Sequence, residues 1–146
     1  GPRNAVLDAA LERARAQGVL LVAAAGNEGR RGVPLFPAAH PDVLAVTALT
    51  PRQAVYRRAN QGEHIRFALP GVDLSTVARD GSLQKRSGTS YAVPLLVAMA
   101  SQSLHERLLS PNQWFSAQGM TLQDLGPSGR DAVFGWGLPR LTPTCR

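Results

Sequence analysis

From Tyr91 to about Leu104 the chain has almost no polar side. Ala92, Val93, Leu95, Leu96, Val97, Ala98, Met99 and Ala100 follow closely, with nothing charged among them. A helix of that pattern must be enclosed by protein or by lipid, since no face of it suits water. At about fourteen residues it falls short of the roughly 20 needed to cross a bilayer. The pattern predicts a central, buried helix within one domain. A chain of 146 residues has room for one such core and not for two domains of ordinary size.

The segments upstream predict what packs on that helix. Asn4 is a good N-cap for a first helix carrying Leu7, Ala10, Leu11 and Ala14 at helical spacing, with Gly18 as its stop. Val19–Ala25 is apolar throughout and suits a parallel strand covered on both faces, as does Val43–Ala48. Ile65–Leu69 alternates and ends at Pro70-Gly71, which predicts a short strand and turn. Arg79-Asp80-Gly81, between Ser75–Val77 and Leu83–Lys85, signals a hairpin. Ser110-Pro111 is predicted to open a further helix, and Gly126–Gly137 is a glycine-rich segment with aromatic residues. Helix, strand, loop, strand and central helix together make an α/β fold.

Charge points to a partner class only weakly. Sixteen Lys plus Arg against ten Asp plus Glu give +6, and fifteen of the cations are Arg. They come in ones and twos (Arg30-Arg31, Arg57-Arg58, Lys85-Arg86) with no stripe interleaved with aromatics, so a nucleic-acid partner is not expected. No apolar run is long enough for a membrane span. The lone Cys145 excludes an internal disulfide and a cysteine-based zinc site. No Asp/Asn cluster has calcium-ligand spacing, and neither a metal nor a cofactor is expected.

Two motifs carry chemistry. In Gly88-Thr89-Ser90-Tyr91-Ala92-Val93-Pro94 a serine sits where a glycine turn enters the central helix. Its hydroxyl lies at the positive end of the helix dipole, beside backbone N–H groups with no helical partner, where developing negative charge is stabilised. Read alone, it is an ordinary serine cap. In Ala23-Ala24-Ala25-Gly26-Asn27-Glu28-Gly29 an asparagine follows a buried strand, at the carboxyl end where α/β folds bind ligands. Its amide is a neutral donor for an oxyanion; read alone, it is a turn asparagine.

Together, 63 positions apart and in this order, the two motifs resemble those of the subtilisin-like serine proteases, the subtilases. Phe36-Pro37-Ala38, Leu69-Pro70-Gly71 and Phe134-Gly135-Trp136-Gly137-Leu138 are similar to further landmarks of that family, so the resemblance spans nearly the whole chain. Two departures are Leu95 where a His is frequent and Leu69 where an Ala is usual. The resemblance implies the C-terminal part of the family's three-layer fold, with a parallel sheet and a buried central helix starting at Ser90. It implies Ser90 as nucleophile and Asn27, with the Ser90 N–H, as oxyanion hole. It further implies that Ala24, Ala25 and Gly26 floor part of the substrate pocket, with Glu28 near its far end.

The family's aspartate and histidine motifs should precede Asn27 by many tens of residues, yet only 26 residues stand before it. His40, His64 and His105 all lack the glycine-flanked setting of the family's base and are expected to be surface or loop residues. A serine hydroxyl without a base is a poor nucleophile. In subtilisin itself, loss of the histidine lowers turnover about 10⁶-fold, a magnitude borrowed from that enzyme. The chain reads as the C-terminal portion of a peptidase domain, inactive alone, whose substrate in the complete enzyme is a peptide or protein. A non-catalytic module that binds a protein partner is the alternative. Uncovered strand edges and one uncovered helix side predict a homodimer or higher oligomer. Family habit places the protein outside the cell or in the periplasm.

Overall fold

The computed structural model describes residues 1–106 and 120–141. Its core is a parallel sheet of β1 (Leu21–Ala24), β2 (Val43–Leu49) and β3 (Ile65–Pro70) in the order β1-β2-β3, preceded by α1 (Ala5–Ala16). Asn4 starts α1 as its composition predicts, its side chain accepting from the N–H groups of Val6 and Leu7. The Gly18 stop also holds, with φ +79° and its N–H on Arg15 O. The expected helix at Ser110-Pro111 and the thiol of Cys145 lie outside the described residues, as does the side chain of His105.

The central helix is α2 (Thr89–Glu106), packed across β1, β2 and β3. Ala92, Leu96 and Ala100 are its buried line, and with Val46, Phe67 and Leu69 they form the core. One side of α2 is uncovered, as the sequence reading expects. At 100° per residue the opposite side of α2 carries Ser90, Pro94, Val97, Ala98 and Ser101, all exposed, with Val97 at 45% and Leu95 on the flank at 38%. The reason is that the helix meets one face of one three-stranded sheet, which can bury only one stripe of it.

Strand β2 is almost wholly buried, as its unbroken apolar run demands. Strand β1 is shorter than its apolar stretch and only half-buried, because it lies at the sheet edge and no described strand pairs with its outer side. The outer edge of β3 is covered by the glycine-aromatic segment. Trp136 N–H donates to Arg66 O (2.9 Å), and Ala68 N–H donates to Gly137 O (3.0 Å). Gly135 sits so close to this edge that a β-carbon on it would fall 2.4 Å from the Arg66 carbonyl, so only glycine fits.

The hairpin β4 (Leu74–Val77) and β5 (Leu83–Arg86) forms around Asp80-Gly81 as expected, on a loop tied by Asp80 Oδ1 to Ser82. Gly88 N–H bonds Gly71 O at 2.8 Å, so the hairpin returns the chain to its own starting point before α2. The antiparallel pair β6 (Met120–Gln123) and β7 (Leu138–Leu141) was not predicted, since residues 124–137 stand between the strands.

Candidate active site

Beyond β1, Ala25 donates to Val46 O at 2.9 Å and Gly26 then turns the chain away from the sheet. Gly26 has φ +112°, and a β-carbon there would come within 2.9 Å of Asn60 Nδ2 and Leu35 Cδ1, so the turn needs glycine on both counts. The turn sets Asn27 against the first residue of α2. Asn27 Oδ1 accepts the Thr89 N–H at 3.0 Å and the Thr89 hydroxyl at 3.3 Å, while that hydroxyl accepts the Gly26 N–H at 3.2 Å. Thr89 is fully buried, so its N–H and hydroxyl make these bonds away from water.

The ring decides how the amide of Asn27 faces. A backbone N–H can only donate, so the atom it meets is the carbonyl oxygen, and the NH₂ group is left with no described acceptor. At the start of α2 the Thr89 N–H goes to Asn27 and the Tyr91 N–H to Gly88 O at 3.1 Å. The Ser90 N–H between them has no acceptor among the described residues. Ser90 is exposed, and its hydroxyl bonds no described residue. An open hydroxyl therefore stands at a helix N-terminus with two unspent donor groups beside it, an arrangement suited to an anion that forms on attack at a carbonyl.

Asn60 supports this corner and carries no motif in the sequence. It is fully buried, accepting from Glu28 N–H (2.7 Å) and donating to Val33 O (3.1 Å) through its side chain, while its own N–H bonds Gly26 O (3.0 Å). One side chain thus clamps both flanks of the loop that holds Asn27. Its position in Arg57-Arg58-Ala59-Asn60-Gln61-Gly62 reads as an ordinary polar turn, so nothing local reveals the role.

The remaining candidates are spread around the same turn. Ala24 is half-buried, and Ala25 is fully enclosed, so what Ala25 offers a ligand is backbone alone. Glu28 has an exposed side chain and spends its N–H on Asn60. Both described histidines are in loops, as expected, though neither is fully exposed. His40 is in a loop but buried at 6% exposure, its Nδ1 accepting from Asp42 N–H (3.2 Å) and its Nε2 lying 4.0 Å from Asp8 Oδ1. It is enclosed because it caps the loop beneath α1. His64 is half-buried, burial pushes its pKa below the ordinary value, and its enclosed Nε2 has no partner among the described residues. Neither bonds Ser90. Among the described residues no three metal-binding side chains gather, and no helix is long and apolar enough to cross a membrane.

Comparison with known proteins bears directly on this corner. The Subtilase family matches residues 1–137. The chain belongs to the subtilase family. It is 34% identical over 134 residues to the Minor extracellular protease Epr of Bacillus subtilis, covering 91% of this chain and 21% of that protein. It is 37% identical over 110 residues to Halolysin of Haloferax mediterranei, covering 75% of this chain and 21% of that one. The chain thus spans about a fifth of the length of these relatives. Sphericase has the same fold, with a TM-score of 0.82 and 26% identity over 96% of this chain and 54% of its own. The α/β fold with its parallel sheet and central helix is that of the subtilisin-like proteases.

Proposed function

We propose that this subtilase chain supplies the nucleophile and the oxyanion hole of a serine endopeptidase. Ser90 Oγ bonds to the scissile carbonyl carbon, the carbonyl electron pair moves onto oxygen, and the hydroxyl proton passes to a base. The oxyanion receives hydrogen bonds from Ser90 N–H and Asn27 Nδ2. Expulsion of the amine leaves an acyl-enzyme that water then hydrolyses. The observation that carries this reading is the bond from Thr89 N–H to Asn27 Oδ1, which turns the amide donors outward beside Ser90. Ala24, Ala25, Gly26 and Glu28 border the pocket for the residue preceding the cut bond.

No histidine bonds Ser90 among the described residues, which supports the reading that the chain alone has no base and is inactive. The test is labelling by a fluorophosphonate and peptide hydrolysis, each compared with Ser90→Ala. The expected result is no difference between the two proteins. A burst of labelling that the substitution abolishes would show that a base is within reach of Ser90.

The exposed side of α2 and the open edge of β1 favour a second property, association with another protein surface. In the isolated chain the partner is a second copy, in a homodimer or higher oligomer burying over roughly 1,000 Å². Relatives whose names describe them as extracellular support placement outside the cell or in the periplasm.

A further inference from the structure

The arginine pairs that are scattered in the sequence are brought together by the fold. Arg30-Arg31 occupy the centre of a β-turn closed by Gly32 N–H on Gly29 O (2.8 Å). Arg57-Arg58 occupy the centre of another, closed by Ala59 N–H on Tyr56 O (2.8 Å). The turns are bonded to each other through Gly29 N–H and Arg58 O at 2.7 Å, and Asn60 ties both flanks of the first turn to the end of the second. All four arginines are exposed, and no ion pair or hydrogen bond engages their side chains among the described residues.

The surrounding chain supplies almost no counter-charge. Residues 29–41 and 43–62 contain no Asp or Glu, and Asp42 is committed to Arg15 at 2.7 Å. Glu28 and Glu63 are the nearby carboxylates in sequence, and Glu63 pairs with Arg130 at 3.3 Å. Four guanidinium groups on two locked turns repel one another, and they gain from an anion that comes from outside. Each offers a planar fork of donors that matches a carboxylate. Arg30 follows Asn27 by three residues, so its Cα lies within about 11 Å of that of Asn27 by chain length alone. A polypeptide that extends from Ser90 past Asn27 has this patch within reach.

We propose that the paired arginine turns are a docking surface for an acidic stretch of polypeptide, an Asp/Glu-bearing segment of the substrate outside the bond being cut. The identification of that segment as substrate rests on the peptidase reading of Ser90. Nucleic acid is disfavoured because the two turns carry one aromatic side chain, Tyr56, where single-strand binding needs successive stacking platforms.

The test uses the 146-residue chain with Ser90→Ala, so that nothing is cleaved. Fluorescence anisotropy compares a labelled peptide alternating Glu with Gly, its Gln counterpart, and a single-stranded oligonucleotide of equal charge. The acidic peptide is expected to bind at least about tenfold more tightly than the Gln peptide, with the gap closing as salt is raised. Arg30→Gln/Arg31→Gln and Arg57→Gln/Arg58→Gln should each remove part of that preference and together all of it. Arg79→Gln, on the hairpin, should leave it intact. Because the four residues are exposed at turn centres, unchanged circular dichroism and melting will show that the fold persists. Equal binding of both peptides, survival of the preference in the fourfold variant, or tighter binding of the oligonucleotide through the same arginines would each overturn the proposal. Acidic binding through these arginines in a complete protein whose Ser90 never labels would sink the peptidase reading and leave the docking surface standing. Ser90 labelling in that protein with no acidic preference would do the reverse.

Discussion

Replacing Asn60 by Ala tests the architecture of the site without requiring activity. The substitution keeps the backbone bond to Gly26 and removes two side-chain bonds, to Glu28 N–H at 2.7 Å and to Val33 O at 3.1 Å. Each orphaned group costs about 1–1.5 kcal/mol when it is only partly shielded from water. A void adds to this. Gly26 and Gly32 both press their backbones against the Asn60 side chain, a β-carbon on either falling within 2.9 Å of it, and neither has a side chain that could collapse into the space. The space is lined by N–H and C=O groups, so a water molecule can enter and recover part of the loss. The total is about 3 kcal/mol.

For a chain of this length that corresponds to a fall in Tm of roughly 6–12 °C. Urea denaturation read by circular dichroism should show the same loss as a lower midpoint at unchanged m-value. Asn60→Asp makes the argument sharper. The carboxylate can still accept from Glu28 N–H but presents an anion to the Val33 carbonyl, so it should be no more stable than the alanine variant. A Tm within about 2 °C of the parent for Asn60→Ala would mean that the loop holds its shape without the clamp, and the reasoning about the corner would fail.

Three further outcomes are expected. In a complete, active protein Asn27→Ala should lower turnover about 10²–10³-fold with little change in KM, a magnitude carried over from the equivalent asparagine of subtilisin; a change confined to KM would make Asn27 a substrate-binding residue. Burial holds the His64 pKa down, so below about pH 6.5 the unfolded chain takes up a proton that the folded chain refuses, and stability present above that pH is lost on acidification towards the folded pKa. His64→Asn should flatten that part of the profile in urea midpoints taken at about pH 7.5 and 5.5, and an equally steep decline in both proteins would contradict it. If the exposed side of α2 is the self-association surface, Val97→Glu should give a monomer in sedimentation velocity under reducing conditions where the parent is a dimer or larger, and a monomeric parent would remove the idea.

The elements that read clearly from the sequence are those whose pattern is local. The cap at Asn4, the stop at Gly18, the apolar runs of β1 and β2 and the hairpin around Asp80-Gly81 all have causes within a few residues. The serine and asparagine motifs were legible for the same reason, since a glycine turn into a helix and a glycine turn out of a strand are each local devices. The pairing of β6 with β7 was not legible, because residues 124–137 separate the two short strands and no tight-turn signal joins them. The open side of α2 followed from the family resemblance and not from the helix's own pattern. An apolar helix shows that partners are needed, and it says nothing of how many the surrounding chain can supply.

Asn60 and the arginine turns were hidden for a deeper reason. Their meaning lies in which loops meet, and that is settled by the parallel pairing of β2 with both β1 and β3. In a parallel sheet the segments leaving successive strands and those returning to them collect at common ends, so residues about thirty positions apart become neighbours. Asn60 thereby faces Glu28 across 32 positions and Asn27 faces Thr89 across 62. The Arg30-Arg31 and Arg57-Arg58 turns gather by the same geometry. Had the sheet been antiparallel, the loop after β1 would have closed on β2 as a hairpin, and neither the clamp at Asn60 nor the contact with α2 could have formed. The corner of Ser90 and Asn27 and the cationic patch beside it are therefore two consequences of one topology. Any substitution that loosens the Asn60 clamp should disturb both, lowering acidic-peptide binding together with the stability of the loop that carries Asn27.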